Sequence, residues 1–244
     1  MNEHTFKVVP LCDKQKRDIK DNNILNDGLY RKCDVYKGGG GYDKFPSICE
    51  KRLGYNYYNQ FVVQLFGCPL KCPYCYVTPD GIFGEYVEIN ADDMVNAFVD
   101  SKLDIFHLMG GAPALYIEDW ILIIDKIEKN KVFHSDLLLI EKDYSIDILK
   151  NINQANTLYA VSIKGIGYDF EANTGVKFNE NLFWNNLNKV IENGLNFYFT
   201  FTGLSKESVE NFKNECKTKL NNYTEEIFND SFIIDLVEYE ALKD

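Results

Sequence analysis

The chain has 244 residues, 45% hydrophobic and 26% charged, an ordinary globular composition with length for one sizeable core or two small ones. No run reaches the ~18 apolar residues that a membrane span requires. The N-terminus lacks the layout of a secretion signal, so a cytoplasmic protein is expected. The net charge of −11 leaves no visible basic footprint for nucleic acid. The lysine-rich stretch 14–20 is diluted by Asp13 and Asp18 and reads as a solvated helix face.

Residues 1–59 read as an N-terminal extension. Gly38-Gly39-Gly40-Gly41 is a hinge or a backbone close to a ligand. The GK[ST] ending of a phosphate loop is absent, and a segment covering the open edge or mouth of the following domain is the expected role. Tyr55-Asn56-Tyr57-Tyr58 is an aromatic cluster whose expected role is packing. Cys12, Cys33 and Cys49 match no compact ligand spacing and read as ordinary thiols.

From residue 60 two patterns alternate. Short β-branched or aromatic runs predict strands over 61–66, 104–109, 136–141, 158–164, 196–202 and 232–238. Helical spacing falls between them. Asn90 can cap a helix carrying Met94, Ala97 and Phe98. Trp120, Ile123, Ile124 and Ile127 share a face, and Ser145 can cap a helix with Leu149 and Ile152. Phe183, Leu187, Val190 and Ile191 line another helix, which Gly194 stops. Ser205 can cap one with Val209, Phe212, Cys216 and Leu220. Five β-α units and a sixth strand predict a parallel sheet with crossover helices. Six strands are too few for the closed eight-stranded barrel. The fold expected is α/β, a six-stranded (βα)6 partial TIM barrel over 60–244, with its site in the loops after the strands.

The first of those loops is Cys68-Pro-Leu-Lys-Cys72-Pro-Tyr-Cys75. Three thiolates spaced C-x3-C-x2-C can hold three irons of a cubane cluster and leave the fourth iron open. Thiolates select iron–sulfur clusters, zinc or copper(I). Structural zinc takes four ligands and ferredoxin clusters take four cysteines, so zinc would need a fourth ligand from elsewhere. A disulfide framework does not suit a signal-free chain of this size.

Other candidates follow later strands. Gly110-Gly111-Ala112-Pro113, bare, is a turn with close backbone approach. Ser162 and Lys164 share one strand face by period-two alternation, as do Thr200 and Thr202, where β-propensity alone is an equal explanation. Glu141 ends the predicted third strand and can face the mouth. His107 reads as a satisfied strand histidine, since no triad arrangement accompanies it.

The cysteine loop resembles the cluster-binding loop of the radical SAM superfamily, and the β/α series matches that family's partial barrel. The resemblance implies a 4Fe–4S cluster on Cys68, Cys72 and Cys75, with S-adenosylmethionine chelating the open iron. It implies Tyr74 near the adenine, where the family prefers an aromatic. It places Gly110, Gly111, Ala112 and Pro113 along the methionine amino group, Ala112 standing where the family usually has Glu. The stretch from Ser162 to Gly175 resembles glycyl-radical-enzyme activases of the pyruvate formate-lyase activase type. Those carry Asp-x-Lys here. Ser162 replaces the Asp, and Lys164 can still meet the methionine carboxylate. Thr200 is a further candidate contact to ribose or carboxylate. The implied activity is reductive cleavage of S-adenosylmethionine to a 5′-deoxyadenosyl radical that abstracts a substrate hydrogen. A flavodoxin or ferredoxin would supply the electron, and the substrate would be a glycine of a partner glycyl-radical enzyme. The alternatives are a maturase of a peptide or small metabolite and a non-catalytic zinc or iron–sulfur module.

Overall fold

The structure, a computed structural model, describes residues 4–13, 16, 21–34, 44–75, 77 and 79–234. The glycine run 38–41, most of the lysine-rich stretch 14–20 and the end of the predicted last strand, 235–238, lie outside the described residues. The strands are β1 (Thr5–Val8), β2 (Ile24–Leu25), β3 (Tyr30–Asp34), β4 (Asn59–Gln64), β5 (Val87–Asn90), β6 (Ile105–Met109), β7 (Val132–Leu137), β8 (Thr157–Ile163), β9 (Phe197–Thr202) and β10 (Phe232–Ile234). The helices are α1 (Phe45–Leu53), α2 (Pro79–Phe83), α3 (Ala91–Ser101), α4 (Trp120–Ile124), α5 (Ile146–Ile152), α6 (Gly167–Thr174), α7 (Glu180–Glu192) and α8 (Lys206–Lys219).

The main sheet runs β10-β9-β8-β7-β6-β4-β3-β2. The six strands from β4 to β10 pair in parallel, and β3 and β2 extend the β4 edge antiparallel. This is the expected α/β partial barrel, without closure. β1 pairs antiparallel with β5 in a separate ribbon.

Strand alternation divides the sheet's side chains between two faces. One face sends Phe61, Val63, Phe106, Leu108, Phe133, Leu137, Tyr159, Val161, Phe199 and Phe201 into the main core. The helices meet that core with the stripes their spacing dictates: Met94, Val95 and Phe98 on α3, Phe183, Leu187 and Val190 on α7, and Val209, Phe212 and Cys216 on α8. Each buried aromatic or branched side chain contributes ~1.5–3 kcal/mol. Asn90, Asn179 and Ser205 cap α3, α7 and α8 by accepting from the backbone N–H three residues on. Ser145 precedes α5 but makes no side-chain capping bond.

The other face holds Ile105, Val132, Leu158, Ala160, Tyr198, Phe232 and Ile234, packed with Phe45, Ile48 and Cys49 of α1. Arg52 of α1 reaches Asp230 at 3.0 Å and the carbonyl of Asn229 at 3.2 Å. Tyr55 and Tyr57 stack and donate to the carbonyls of Lys129 and Asn130. These partners precede β7 and β10, so α1 and the tyrosine cluster lie at the N-terminal ends of the strands, away from the mouth.

The third barrel strand is displaced from its expected position. It spans Val132–Leu137 and not 136–141. Residues 138–141 form a turn in which Leu139 has φ +67°. The Glu141 carboxylate is spent inside that turn, accepting from the N–H of Leu138 (3.0 Å) and Ile140 (3.1 Å) and from the Tyr144 hydroxyl (2.8 Å). Apolar character continues through Leu137, Leu138, Leu139 and Ile140, so hydrophobicity alone could not mark the strand's end. Among the described residues no helix is long and apolar enough to cross a membrane.

Candidate active site

Beyond β4 the chain turns at Gly67, with φ +94°. The Gly67 N–H donates to the carbonyl of Ile82 and its carbonyl accepts from Ala112 N–H, so the cysteine loop is anchored at its root. Cys75 N–H closes on the Cys72 carbonyl at 3.2 Å, and Lys71 N–H donates to the Thr174 carbonyl at 2.8 Å. Cys68, Cys72 and Cys75 are half-buried and line one cleft. Burial pushes the Cys68 thiol up to about 12. It raises Cys72 too, against the pull of the Lys164 ammonium. None of the seven cysteines is in a disulfide; Cys49 and Cys216 are buried in the cores, and Cys12 and Cys33 lie outside the cleft lining.

The β6 end meets this loop through Gly110 and Gly111, at φ +71° and +53°. A Cβ on Gly111 would sit 2.3 Å from the Gly67 carbonyl oxygen and 2.5 Å from that of Leu65, so only glycine allows the approach. Gly110, Gly111 and Pro113 line the cleft. Ala112 does not: its methyl group is buried with Leu70, Leu138 and Phe170.

The opposite wall comes from β8 and β9. Ser162, Lys164 and Thr202 line the cleft. Thr200 is buried beneath them, its hydroxyl 3.1 Å from that of Ser162. Lys164 Nζ lies 5.7 Å from the centroid of the Tyr74 ring. Burial lowers the Lys164 pKa, opposed by Cys72 and Asp136. Helix α6, which the sequence reading left undetected, binds these walls together. Its Asn173 amide donates to the carbonyls of Lys164 (3.1 Å) and Thr202 (3.0 Å).

The structure thus gathers Cys68, Cys72, Cys75, Tyr74, Gly110, Gly111, Pro113, Ser162 and Lys164 around one cleft and leaves Ala112 and Thr200 behind its walls. Asp136, the one carboxylate among the described lining residues, was not singled out from sequence because the misplaced strand made it a strand start. In the structure it sits one residue from the C-terminal end of β7. Burial pushes its carboxyl up to about 7, with Lys164 opposing. His107 faces the barrel interior, its Nδ1 2.7 Å from Gln60 Oε1 and its ring 4.2 Å from that of His134.

A half-buried loop presenting three thiols, beside a glycine pair and the Lys164 ammonium, has the donor set for a thiolate-held cluster and an amino-acid-bearing cofactor. Among the described residues no three His, Cys, Asp or Glu groups converge on a single-ion position; a cubane takes one thiolate per iron.

The fold and cleft define a class of barrel enzyme that works at the strand C-termini, and the model of the radical SAM superfamily matches residues 62–217. That is more than half of the chain, and the chain belongs to the radical SAM superfamily. Its cofactors are a 4Fe–4S cluster and S-adenosylmethionine. No curated protein matches it. Among solved structures it is similar to Streptococcus suis SuiB bound to precursor peptide SuiA (TM-score 0.50, 14% identity, covering 73% of this chain and 42% of that one). It is also similar to a point mutant of spore photoproduct lyase (TM-score 0.50, 15% identity, 69% and 53%). A third is anSMEcpe with bound AdoMet and Cp18Cys peptide (TM-score 0.47, 16% identity, 63% and 46%). The match thus spans about half or less of each of those chains.

Proposed function

We propose that Cys68, Cys72 and Cys75 hold the cluster, that the cleft holds S-adenosylmethionine, and that the enzyme takes a hydrogen atom from a glycine of a partner enzyme, as glycyl-radical activases do. The observation that carries the reading is the cleft itself: three cysteines, the Gly110–Gly111 backbone and Lys164 line one cavity at the strand C-termini. When bound, the cluster and S-adenosylmethionine supply a 5′-deoxyadenosyl radical, given one electron from a flavodoxin or ferredoxin. The chain's own work is binding, orientation and exclusion of water. Lys164 meets the methionine carboxylate and Tyr74 packs near the adenine. Ser162 and the Thr200 behind it stiffen the Lys164 strand, while Leu70, Val77, Ile82, Leu138 and Ile234 keep the walls apolar.

A polypeptide substrate is supported by exposed aromatics at this end of the molecule. Phe83 follows the lining residue Ile82 and is 55% exposed, and Tyr168 on α6 is 83% exposed. The extension 1–59 belongs to the same proposal as a segment that covers the open edge of the barrel domain 60–244, where β3 and β2 add to its sheet. Ala112 and Ser162 depart from the activase pattern and favour a second reading, a maturase of a peptide or small metabolite.

Anaerobic reconstitution with iron and sulfide, reduction and addition of S-adenosylmethionine should yield a brown protein that forms 5′-deoxyadenosine. Absence of either result removes the cofactor assignment. A glycyl EPR signal on a glycyl-radical enzyme encoded nearby supports the activase reading. Cofactor cleavage without that signal, and with a modified peptide or metabolite, supports the maturase.

A further inference from the structure

Arg31 comes from the N-terminal extension, yet its side chain belongs to the barrel interior. Its neighbour Tyr30 packs into the main core, so alternation turns Arg31 to the inner face of the sheet. Strand register sets it in a row. Arg31 of β3 stands opposite Val62 of β4, Val62 opposite His107 of β6, and His107 opposite His134 of β7. Two residues beyond His134 on the same face is Asp136, which lines the cleft. Two residues beyond His107 is Met109, whose sulfur accepts from Arg31 Nη2 at 3.2 Å, and the next residue, Gly110, lines the cleft. The row therefore lies one side-chain layer beneath the cleft, and the guanidinium reaches up toward its floor.

This layer is rich in donors and poor in acceptors. Arg31 Nε, His107 Nε2, His134 Nδ1 and the Gln60 amide nitrogen are buried with no hydrogen-bond partner among the described residues. The Gln60 carbonyl oxygen is already taken by His107 Nδ1, and Met109 offers only a thioether, a weak acceptor. Burial, with His134 and the Arg31 charge, pushes the His107 pKa well below its ordinary value, so a full positive charge stands beside neutral imidazoles. Water can serve an imidazole nitrogen, but an anion is what balances a half-buried guanidinium.

Nε and Nη2 form one edge of the guanidinium, a fork that matches the two oxygens of a carboxylate. Lys164, on the far side of the sheet's mouth, is assigned to the methionine carboxylate, so the two cations serve different ligands. We propose that the substrate carries a carboxylate and that Arg31 binds it in the barrel interior, with His107 and Gln60 supplying further N–H donors. The inference rests on the cofactor reading above and makes the extension a specificity element as well as a cover. An acidic residue beside the reacting glycine of a polypeptide and a small free acid present the same group.

The test is equilibrium binding to the cluster-loaded, unreduced protein with S-adenosylmethionine present. Two probe pairs differ only in carboxylate against amide: N-acetylglycine with N-acetylglycinamide, and the capped pentapeptide Ala-Ala-Gly-Glu-Ala with its Gln counterpart. The acid should bind ~10–100-fold tighter than its amide, the scale of one charge-assisted hydrogen bond. Preference in the peptide pair assigns a polypeptide substrate, and preference in the glycine pair alone assigns a free acid. Arg31→Met should erase the preference and Arg31→Lys should keep most of it. In wild-type protein the preferred acid should also slow phenylglyoxal modification of Arg31, read by peptide mass spectrometry, and leave Arg52, which is paired with Asp230, unchanged. That readout decides the matter if the Met variant loads no cluster. No acid preference in either pair, a preference that survives in Arg31→Met, or modification of Arg31 that the acid does not slow overturns the proposal. Wild-type protein that loads no cluster, or does not bind S-adenosylmethionine, would instead overturn the cofactor reading beneath it.

Discussion

The side-chain amide of Asn173 donates to the backbone carbonyl of Lys164 at 3.1 Å and, with the same nitrogen, to that of Thr202 at 3.0 Å. One side chain therefore sets the spacing of two strand ends that face the cleft. Its neighbour Thr174 accepts from Lys71 N–H in the cysteine loop. A short helix that contributes no cofactor-binding side chain to the sequence motifs thereby couples three walls of the site.

Replacing Asn173 with Ala leaves two carbonyls without that donor. The expected loss is ~1–2 kcal/mol of stability, read by urea denaturation. A larger proportional loss in S-adenosylmethionine affinity is expected alongside, because Lys164 is no longer held. A variant equal to wild type in both would show that the tie carries nothing.

Gly111 and Gly54 separate steric need from backbone preference. Both have positive φ, but a Cβ at Gly54 meets nothing within 4 Å, whereas at Gly111 it meets two backbone carbonyls. Gly54→Ala should cost ~1–2 kcal/mol, the strain of a left-handed alanine. Gly111→Ala should cost more than ~3 kcal/mol, since strand and loop must part. Comparable denaturation midpoints for the two variants would contradict the close approach.

The cysteines divide by role. Cys72→Ala should abolish cluster loading, measured as iron per chain and as the loss of visible absorbance. Cys216→Ala, on the buried face of α8, should load normally and lose about 1 kcal/mol of stability. Loss of iron in the Cys216 variant would show a second ligand role.

Stability of the cluster-free protein should depend on pH through opposing groups. Burial lowers the pKa of His134 to about 3 and of His107 well below its ordinary value. The unfolded chain therefore takes up protons at these histidines as pH falls below about 6.5, and stability is lost. Asp136 works the other way: its carboxyl, raised to about 7 by burial against Lys164 and with Glu141, keeps a proton in the folded state that the unfolded chain releases. Between about pH 5 and 6.5 the Asp136 term offsets about half of the slope that the two histidines produce. Asp136→Asn should steepen that slope by about one proton, ~1.4 kcal/mol per pH unit. Parallel slopes for variant and wild type would mean that Asp136 is ionised in the folded protein.

The strand–helix alternation, the helix caps at Asn90 and Ser205 and the cysteine loop were all legible along the chain, because periodicity, capping chemistry and thiolate softness are local properties. The third barrel strand was misplaced, since three apolar residues, Leu138 to Ile140, continue past the strand's end into the turn that Glu141 staples from within. Helix α6 left no readable pattern; its weak apolar face is explained by contacts with the cysteine loop and two strand ends. Long-range packing put α1 and the tyrosine cluster at the end remote from the cleft. It also turned Ala112 out of the cleft and set Asp136 beside Lys164. Those arrangements depend on the order and register of parallel strands, and a parallel partner is separated along the chain by a whole crossover. No stretch of sequence short enough to read as a pattern contains both members of such a pair.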